Sequence, residues 1–226
     1  FSIATRYLHE ERWGGEMNWT PAFRGGTERY GESIFTRRWE VFGAYTISPD
    51  AYTQYSFNDH NQNSVYGNTE FLAQQRIGFL QAVLDQHIGA VPLMLGLTYR
   101  YTWYNDNTPA TANKEQTHLP GIFVQTTLNT GPTIEWLLGT RWDYNSRYGT
   151  ILTPRLNIKY ARTSSQALRL SIGSGYRIVN VITEDHAALN GARDVVFDDK
   201  LKPERSWNAN LNSVSYTHLR AHETVM

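Results

Sequence analysis

The sequence predicts an all-β chain, the wall of an antiparallel transmembrane β-barrel, and three observations carry that prediction. Long segments alternate apolar and polar residues with a period of two. Those segments have the length of about nine to eleven residues that a tilted membrane-crossing strand needs, rather than the five or six of a typical soluble strand. The connections between them alternate short and long, as in barrels with tight turns on one side of the membrane and loops on the other.

Ten strands follow from the pattern, at 1–8, 36–47, 52–59, 71–85, 92–104, 119–129, 134–144, 154–162, 167–177 and 204–212. The alternation is clearest from the fifth on. There Leu93, Leu95, Leu97, Tyr99, Tyr101 and Trp103 share one parity, against Met94, Gly96, Thr98, Arg100, Thr102 and Tyr104. The seventh sets Ile134, Trp136, Leu138, Thr140, Trp142 and Tyr144 against Glu135, Leu137, Gly139, Arg141 and Asp143. In the eighth, Leu156, Ile158 and Tyr160 oppose Arg155, Asn157 and Lys159. The ninth has Leu168, Leu170, Ile172 and Tyr176 opposing Arg169, Ser171, Gly173 and Arg177. Aromatics gather at strand ends, as girdles do at membrane interfaces. The connections 48–51, 86–91, 130–133 and 163–166 are expected to be tight, with turn chemistry in Ser48-Pro49-Asp50 and Gly131-Pro132. Extended loops are expected at 9–35, 60–70, 105–118, 145–153 and 178–203. A large soluble β-sandwich also alternates, and pattern alone leaves it as an alternative.

Composition narrows the function classes. The net charge is zero and the pI about 7.2, which gives no reason to expect nucleic acid. There is no cysteine, so no disulfide or thiolate metal site can form. Mean hydropathy is −0.50 and no run of about 18 apolar residues occurs, which excludes membrane-crossing helices but not strands. The chain opens on Phe1-Ser2-Ile3-Ala4-Thr5-Arg6, with neither a signal sequence nor an initiator Met, so it is expected to come from inside a longer polypeptide.

Three stretches resemble the barrel of TonB-dependent outer-membrane receptors: Gly139–Tyr160, Leu168–Asn180 and Leu201–Asn208. The most diagnostic is Leu201-Lys202-Pro203-Glu204, which resembles the element that opens a strand after a long external loop in that family. The strand before that loop has the family's pattern in Arg169, Ser171, Gly173, Gly175, Tyr176 and Arg177. Arg6–Gly15, Tyr30–Gly43 and Arg100–Thr111 are similar to a subgroup. Thr126 departs from the acidic residue many relatives carry.

The resemblance implies a fragment of about ten strands from a barrel of roughly 22. It further implies a plug domain and TonB box outside this chain, a TonB energy-transducing complex acting on the plug, and the outer membrane of a Gram-negative bacterium. The expected function is active uptake of a large scarce solute, a ferric siderophore or cobalamin. The alternatives are a passive porin-like or enzyme barrel, or a soluble carbohydrate-binding β-sandwich. Residues 1–212 are expected to form the partial barrel. Residues 213–226 resemble translated sequencing-adapter read-through, so His218 and His222 are not read as metal ligands.

Extracellular ligand contact is expected from Arg12, Trp13, Trp19, Arg24, Trp103 and Tyr104, because aromatic and Arg side chains bring rigid surface and directed charge. Girdle and loop packing compete as explanations for each. Arg100, Arg141, Asp143, Arg155, Lys159, Arg169 and Arg177 are expected to line the lumen, since charge near the midplane of the lipid face costs about 2–4 kcal/mol. On that basis Leu138→Arg or Leu95→Arg should hinder assembly more than Arg141→Leu or Thr98→Leu. Glu184, Asp185, His186, Asp194, Asp198 and Asp199 lack EF-hand spacing, and capping or pairing with Arg193 or Lys200 explains them better than a metal. No cofactor is expected. No nucleophile elbow, zinc-binding helix or phosphate loop supports an enzyme.

Overall fold

The structure, a computed structural model, describes residues 1–108, 111, 114–163, 165–178 and 202–215. These form one antiparallel sheet of ten strands in chain order: β1 Ser2–Gly15, β2 Gly31–Ser48, β3 Ala51–Tyr66, β4 Thr69–Ile88, β5 Val91–Asp106, β6 Glu115–Thr130, β7 Ile134–Asn145, β8 Gly149–Thr163, β9 Gln166–Arg177 and β10 Glu204–Ser215. One 3-10 turn, Pro21–Phe23, interrupts the first loop. Among the described residues no helix is long and apolar enough to cross a membrane.

Register assigns the faces. Ala82, Leu97, Ile122, Trp142 and Leu152 lie in one row across β4 to β8. Leu97, Ile122, Trp142 and Leu152 in that row are each at least half exposed. We call this face outer, and the one carrying Thr98, Gly121 and Asp143 inner. A sandwich would bury its apolar rows against a second sheet. A single sheet that exposes them matches a wall built to face lipid.

The expected strands are all present, but most run further than their alternation. β1 continues to Gly15 and β2 begins at Gly31, so the expected loop 9–35 contracts to residues 16–30. The loops 105–118 and 145–153 contract to 107–114 and 146–148. The expected loop 60–70 is a two-residue turn at Gly67-Asn68, closed by the Tyr66–Thr69 pair. Gly67 has φ +60, the left-handed value that a II′ hairpin requires at its first central position.

The cause of these differences lies on the outer face. Past Trp39, Asp59, Arg76 and Trp103, outer positions become Arg37, Asn61, Gln74 and Asn105. Hydrophobic periodicity ends there, while backbone pairing continues. On the inner face of this extension Tyr66 and Phe71 form a small buried core with Ile34 and Ala73 against it. At the other end of the chain β10 pairs with β9 through Ser215, three residues past the expected boundary at 212.

Candidate functional site

The most connected group on the inner face spans β5, β7 and β9. Arg141 donates to Asp143 and, through its terminal nitrogen, to Thr98 Oγ1 at 2.9 Å. Asp143 is fully buried, and the Tyr176 hydroxyl donates to its Oδ2 at 3.3 Å. Gly121 on β6 makes the span possible, since a Cβ there would stand 2.1 Å from Asp143 Oδ1 and 2.9 Å from Thr98 Oγ1.

Tyr176 corrects its expected parity. It was expected to share a face with Leu168, Leu170 and Ile172, yet it reaches an inner carboxylate. The β8–β9 ladder ends at Arg155–Gly173, while β10 stays paired with β9 in unbroken register through Arg177, so beyond Gly173 the strand has a paired neighbour on one side only. Arg177 pairs with Glu204 at 3.2 Å, both side chains being more than half exposed.

The other expected lumen residues follow the inner register. Arg100 lies over the Phe79 ring at 5.8 Å. Arg155 stands between Gly139 and Gly173, and Lys159 is directly opposite Arg169, with Glu135 on its other side. Nearer the loops, Asp106 is buried and accepts bonds from the Tyr104 hydroxyl at 2.7 Å and from the Thr108 and Thr111 hydroxyls at 2.7 and 3.0 Å. Asn145 caps the 146–148 turn by accepting from the Arg147 and Tyr148 amides. The Glu115 carboxylate beside Arg147 raises the guanidinium's pKa above its ordinary value.

The six expected ligand-contact residues are not brought together. Arg12 and Tyr104 are on the inner face; Arg12 pairs with Glu10 at 3.1 Å. The remaining four lie on the outer side. Trp13 packs edge-to-face on Phe35, and Trp103 lies beneath Arg76 at 5.3 Å. Trp19 covers the paired Gly15 and Gly31, occupying the space that side chains there would fill. Arg24 donates to Ser33 Oγ at 2.7 Å and to Asn63 Oδ1, and lies over Phe35 at 4.8 Å. Arg29 stacks on Phe23. Loop 16–30 is thereby folded onto the outer face.

Sequence reasoning missed Thr98, Gly121, Asp106 and Asn145 as partners in these networks. The turn-forming pattern of Asp106 before Thr108, and of Asn145 before a short connection to Gly149, was the available signal. Of the family-like element, Lys202 and Pro203 precede β10 and Glu204 begins it, while Leu201 lies outside the described residues. Glu184 to Asp199, His218 and His222 also lie outside them. Among the described residues no group of three or more His, Asp or Glu could hold a metal ion.

Residues 2–221 match the family described as TonB dependent receptor-like, beta-barrel. No curated protein matches the sequence. Among solved structures, the siderophore receptor PirA from Pseudomonas aeruginosa aligns at TM-score 0.59 and 15% identity, covering 96% of this chain and 50% of that one. A mutant of the ferric enterobactin receptor PfeA, also from Pseudomonas aeruginosa, aligns at TM-score 0.53 and 14% identity over 67% of this chain and 26% of that one. The alcaligin outer membrane receptor FauA from Bordetella pertussis aligns at 0.52 and 13%, over 79% and 33%. The chain spans half or less of the length of these structures, and at such identities the likeness is one of fold.

Proposed function

The chain belongs to the TonB-dependent receptor-like β-barrel family, and from that premise we propose that it forms part of the wall of an outer-membrane receptor for active uptake of a ferric siderophore. The family is one of receptors rather than enzymes. The observation that carries the reading is the division of the two faces: an exposed apolar row on one side, and hydrogen-bonded charge, centred on Arg141 and Asp143, on the other. That division suits a wall between lipid and a wet or protein-filled lumen.

The proposed solute class rests on the fold neighbours, whose names describe siderophore and ferric enterobactin receptors. In the proposed mechanism the loops at the 16–30 end face outward and capture the solute. A plug in the full-length protein fills the lumen, and the TonB complex acts on it to release the solute inward. Cobalamin is the other cargo that the family resemblance suggests.

The test is to express the full-length gene product with outer-membrane export and measure heat-modifiable migration, then uptake of ferric siderophores and of cobalamin with and without TonB. TonB-dependent ferric siderophore uptake is the expected result. A soluble product would end the barrel reading, and uptake independent of TonB would make the barrel a passive pore.

A further inference from the structure

On the inner face of β8 and β9 three cations lack an ion-pair partner among the described residues. Lys159 is directly opposite Arg169, and Arg155 lies further along β8 on the same face. Like charges directly opposite on paired strands repel. β7 sets Glu135 beside Lys159, but no ion pair joins them, and among the described residues Arg155, Lys159 and Arg169 make no hydrogen bond or ion pair. Elsewhere on this face the wall matches its own charges: Glu40 takes Arg6 and Arg38, and Asp143 takes Arg141.

The backbone around Arg155 allows close approach. Its neighbours in register are Gly139 and Gly173, and a Cβ at either would meet no atom nearer than 3.6 Å. The exposed Arg155 side chain therefore stands over a low floor that a bulky solute can reach. β10 frames the patch with Asn208, Asn210 and Asn212, opposite Gly173, Ser171 and Arg169. Arg155 and Lys159 are about 13 Å apart, from four strand rises of about 3.3 Å. Charge spread over that length gives several weak contacts rather than one closed cage, which is what a passing ion needs if it is to enter and leave. The patch lies toward the β8–β9 turn, at the opposite end of the strands from loop 16–30.

We propose that Arg155, Lys159 and Arg169, with the β10 asparagines, form an inward transit site for a negatively charged metal chelate. The cations attract the net charge of the complex, and the carboxamides donate to its ligand oxygens. The inference deepens the uptake reading above and rests on it: the loops capture the solute at one end, and this patch receives it after release. It also narrows the cargo. Iron(III) held by three catecholates keeps a net negative charge and suits the patch, whereas iron(III) held by three hydroxamates is neutral and gains nothing from it.

Uptake is measured in cells whose receptor is the full-length protein, with a ferric tris-catecholate and a ferric tris-hydroxamate as probes, and affinity is measured in cells without TonB. The wild type is expected to take up the tris-catecholate several-fold faster. The variant Arg155→Gln/Lys159→Gln/Arg169→Gln is expected to slow that uptake several-fold, with affinity and tris-hydroxamate uptake unchanged. Arg155→Lys/Arg169→Lys, which keeps the charge, is expected to stay near wild type. Faster wild-type uptake of the neutral chelate overturns the proposal, as does a triple variant that keeps the tris-catecholate rate or loses affinity in cells without TonB. Equal slowing of both chelates also overturns it, and would assign the cations to holding a protein segment in the lumen. Should the triple variant fail to fold, Lys159→Gln alone relieves the repulsion from Arg169 and gives the same reading with a smaller loss. A wild type that takes up neither chelate in a TonB-dependent manner overturns the uptake reading, and this inference with it.

Discussion

Arg141 Nε lies 2.9 and 2.7 Å from the two carboxylate oxygens of Asp143, which is two residues along the same strand. Residues two apart on a strand share a face, so this pair needs no neighbouring strand. The second contact of Arg141, to Thr98, does need one, and it passes over Gly121. Gly121→Ala in the full-length protein is therefore expected to cost about 1–3 kcal/mol, seen as a lower unfolding temperature. Gly139→Ala meets nothing nearer than 3.6 Å and is expected to change little. Equal effects would mean that Gly121 does not serve the bridge.

The same bridge revises which inner substitutions are mild. From parity alone, Arg141→Leu and Thr98→Leu look harmless beside Leu95→Arg. In the structure Arg141→Leu strips a fully buried carboxylate of its cation, and removing one partner of a buried polar pair is costly. Arg155, between Gly139 and Gly173, is the better inner control. Leu95→Arg is expected to cost about 2–4 kcal/mol in a bilayer. Arg155→Leu is expected to cost under about 1 kcal/mol, typical of surface positions away from special features. Equilibrium unfolding in lipid vesicles decides, and comparable losses at both positions would sink the lipid-facing assignment.

What could be read from the sequence follows where lipid meets the wall. In the middle of β5, β7 and β8 outer residues such as Leu95, Leu97, Leu138, Trp142 and Leu156 are apolar while inner ones such as Thr98, Arg100, Arg141 and Arg155 are polar, so the period gives strand and face together. In β1 to β4 the outer parity mixes polar and apolar residues beyond Trp39 and Asp59, with Arg37, Asn61 and Gln74 set among Trp13, Phe35 and Leu72, and so breaks the hydrophobic period. Gly67-Asn68 was the remaining clue to the β3–β4 hairpin, since that pair suits a two-residue turn. Tyr176 was misplaced for a different reason: past Gly173 the strand has β10 but no β8 beside it, and there the Tyr176 hydroxyl reaches Asp143 on β7. The inner network was legible as charges but not as partners, because Thr98 and Asp143 are distant in sequence and meet only through the β6 register.

Trp19 and Arg24 hold loop 16–30 against the outer face, which makes their role in packing separable from a role in ligand capture. Arg24→Ala removes bonds to Ser33 and Asn63 and the stack on Phe35, while Trp19→Ala uncovers Gly15 and Gly31. Both variants are expected to fold and to be cleaved several-fold faster within residues 16–30 by an added protease, because local opening governs cleavage. If the full-length protein takes up a ferric siderophore as proposed, its affinity for that solute is expected to stay near wild type. A loss of affinity with no change in cleavage would give these residues back to ligand contact.

Tyr30 adds a pH signature to the same loop. Its hydroxyl donates to Glu32 Oε1 at 2.6 Å, and that bond, with burial and the Glu32 charge, pushes the phenol up to about 12. The raised value means that the folded protein holds the proton after the unfolded chain, titrating near 10, has released it. The contribution of Tyr30 is thus complete below pH 10 and is lost as the pH rises toward 12. Tyr30→Phe is expected to remove one late-titrating phenolate from the absorbance curve and to flatten the fall of stability between those values. Glu32→Gln is expected to bring the phenol back toward 10. A difference titration of Tyr30→Phe against wild type that shows the missing phenolate near 10 would mean that the Tyr30–Glu32 bond does not hold in solution.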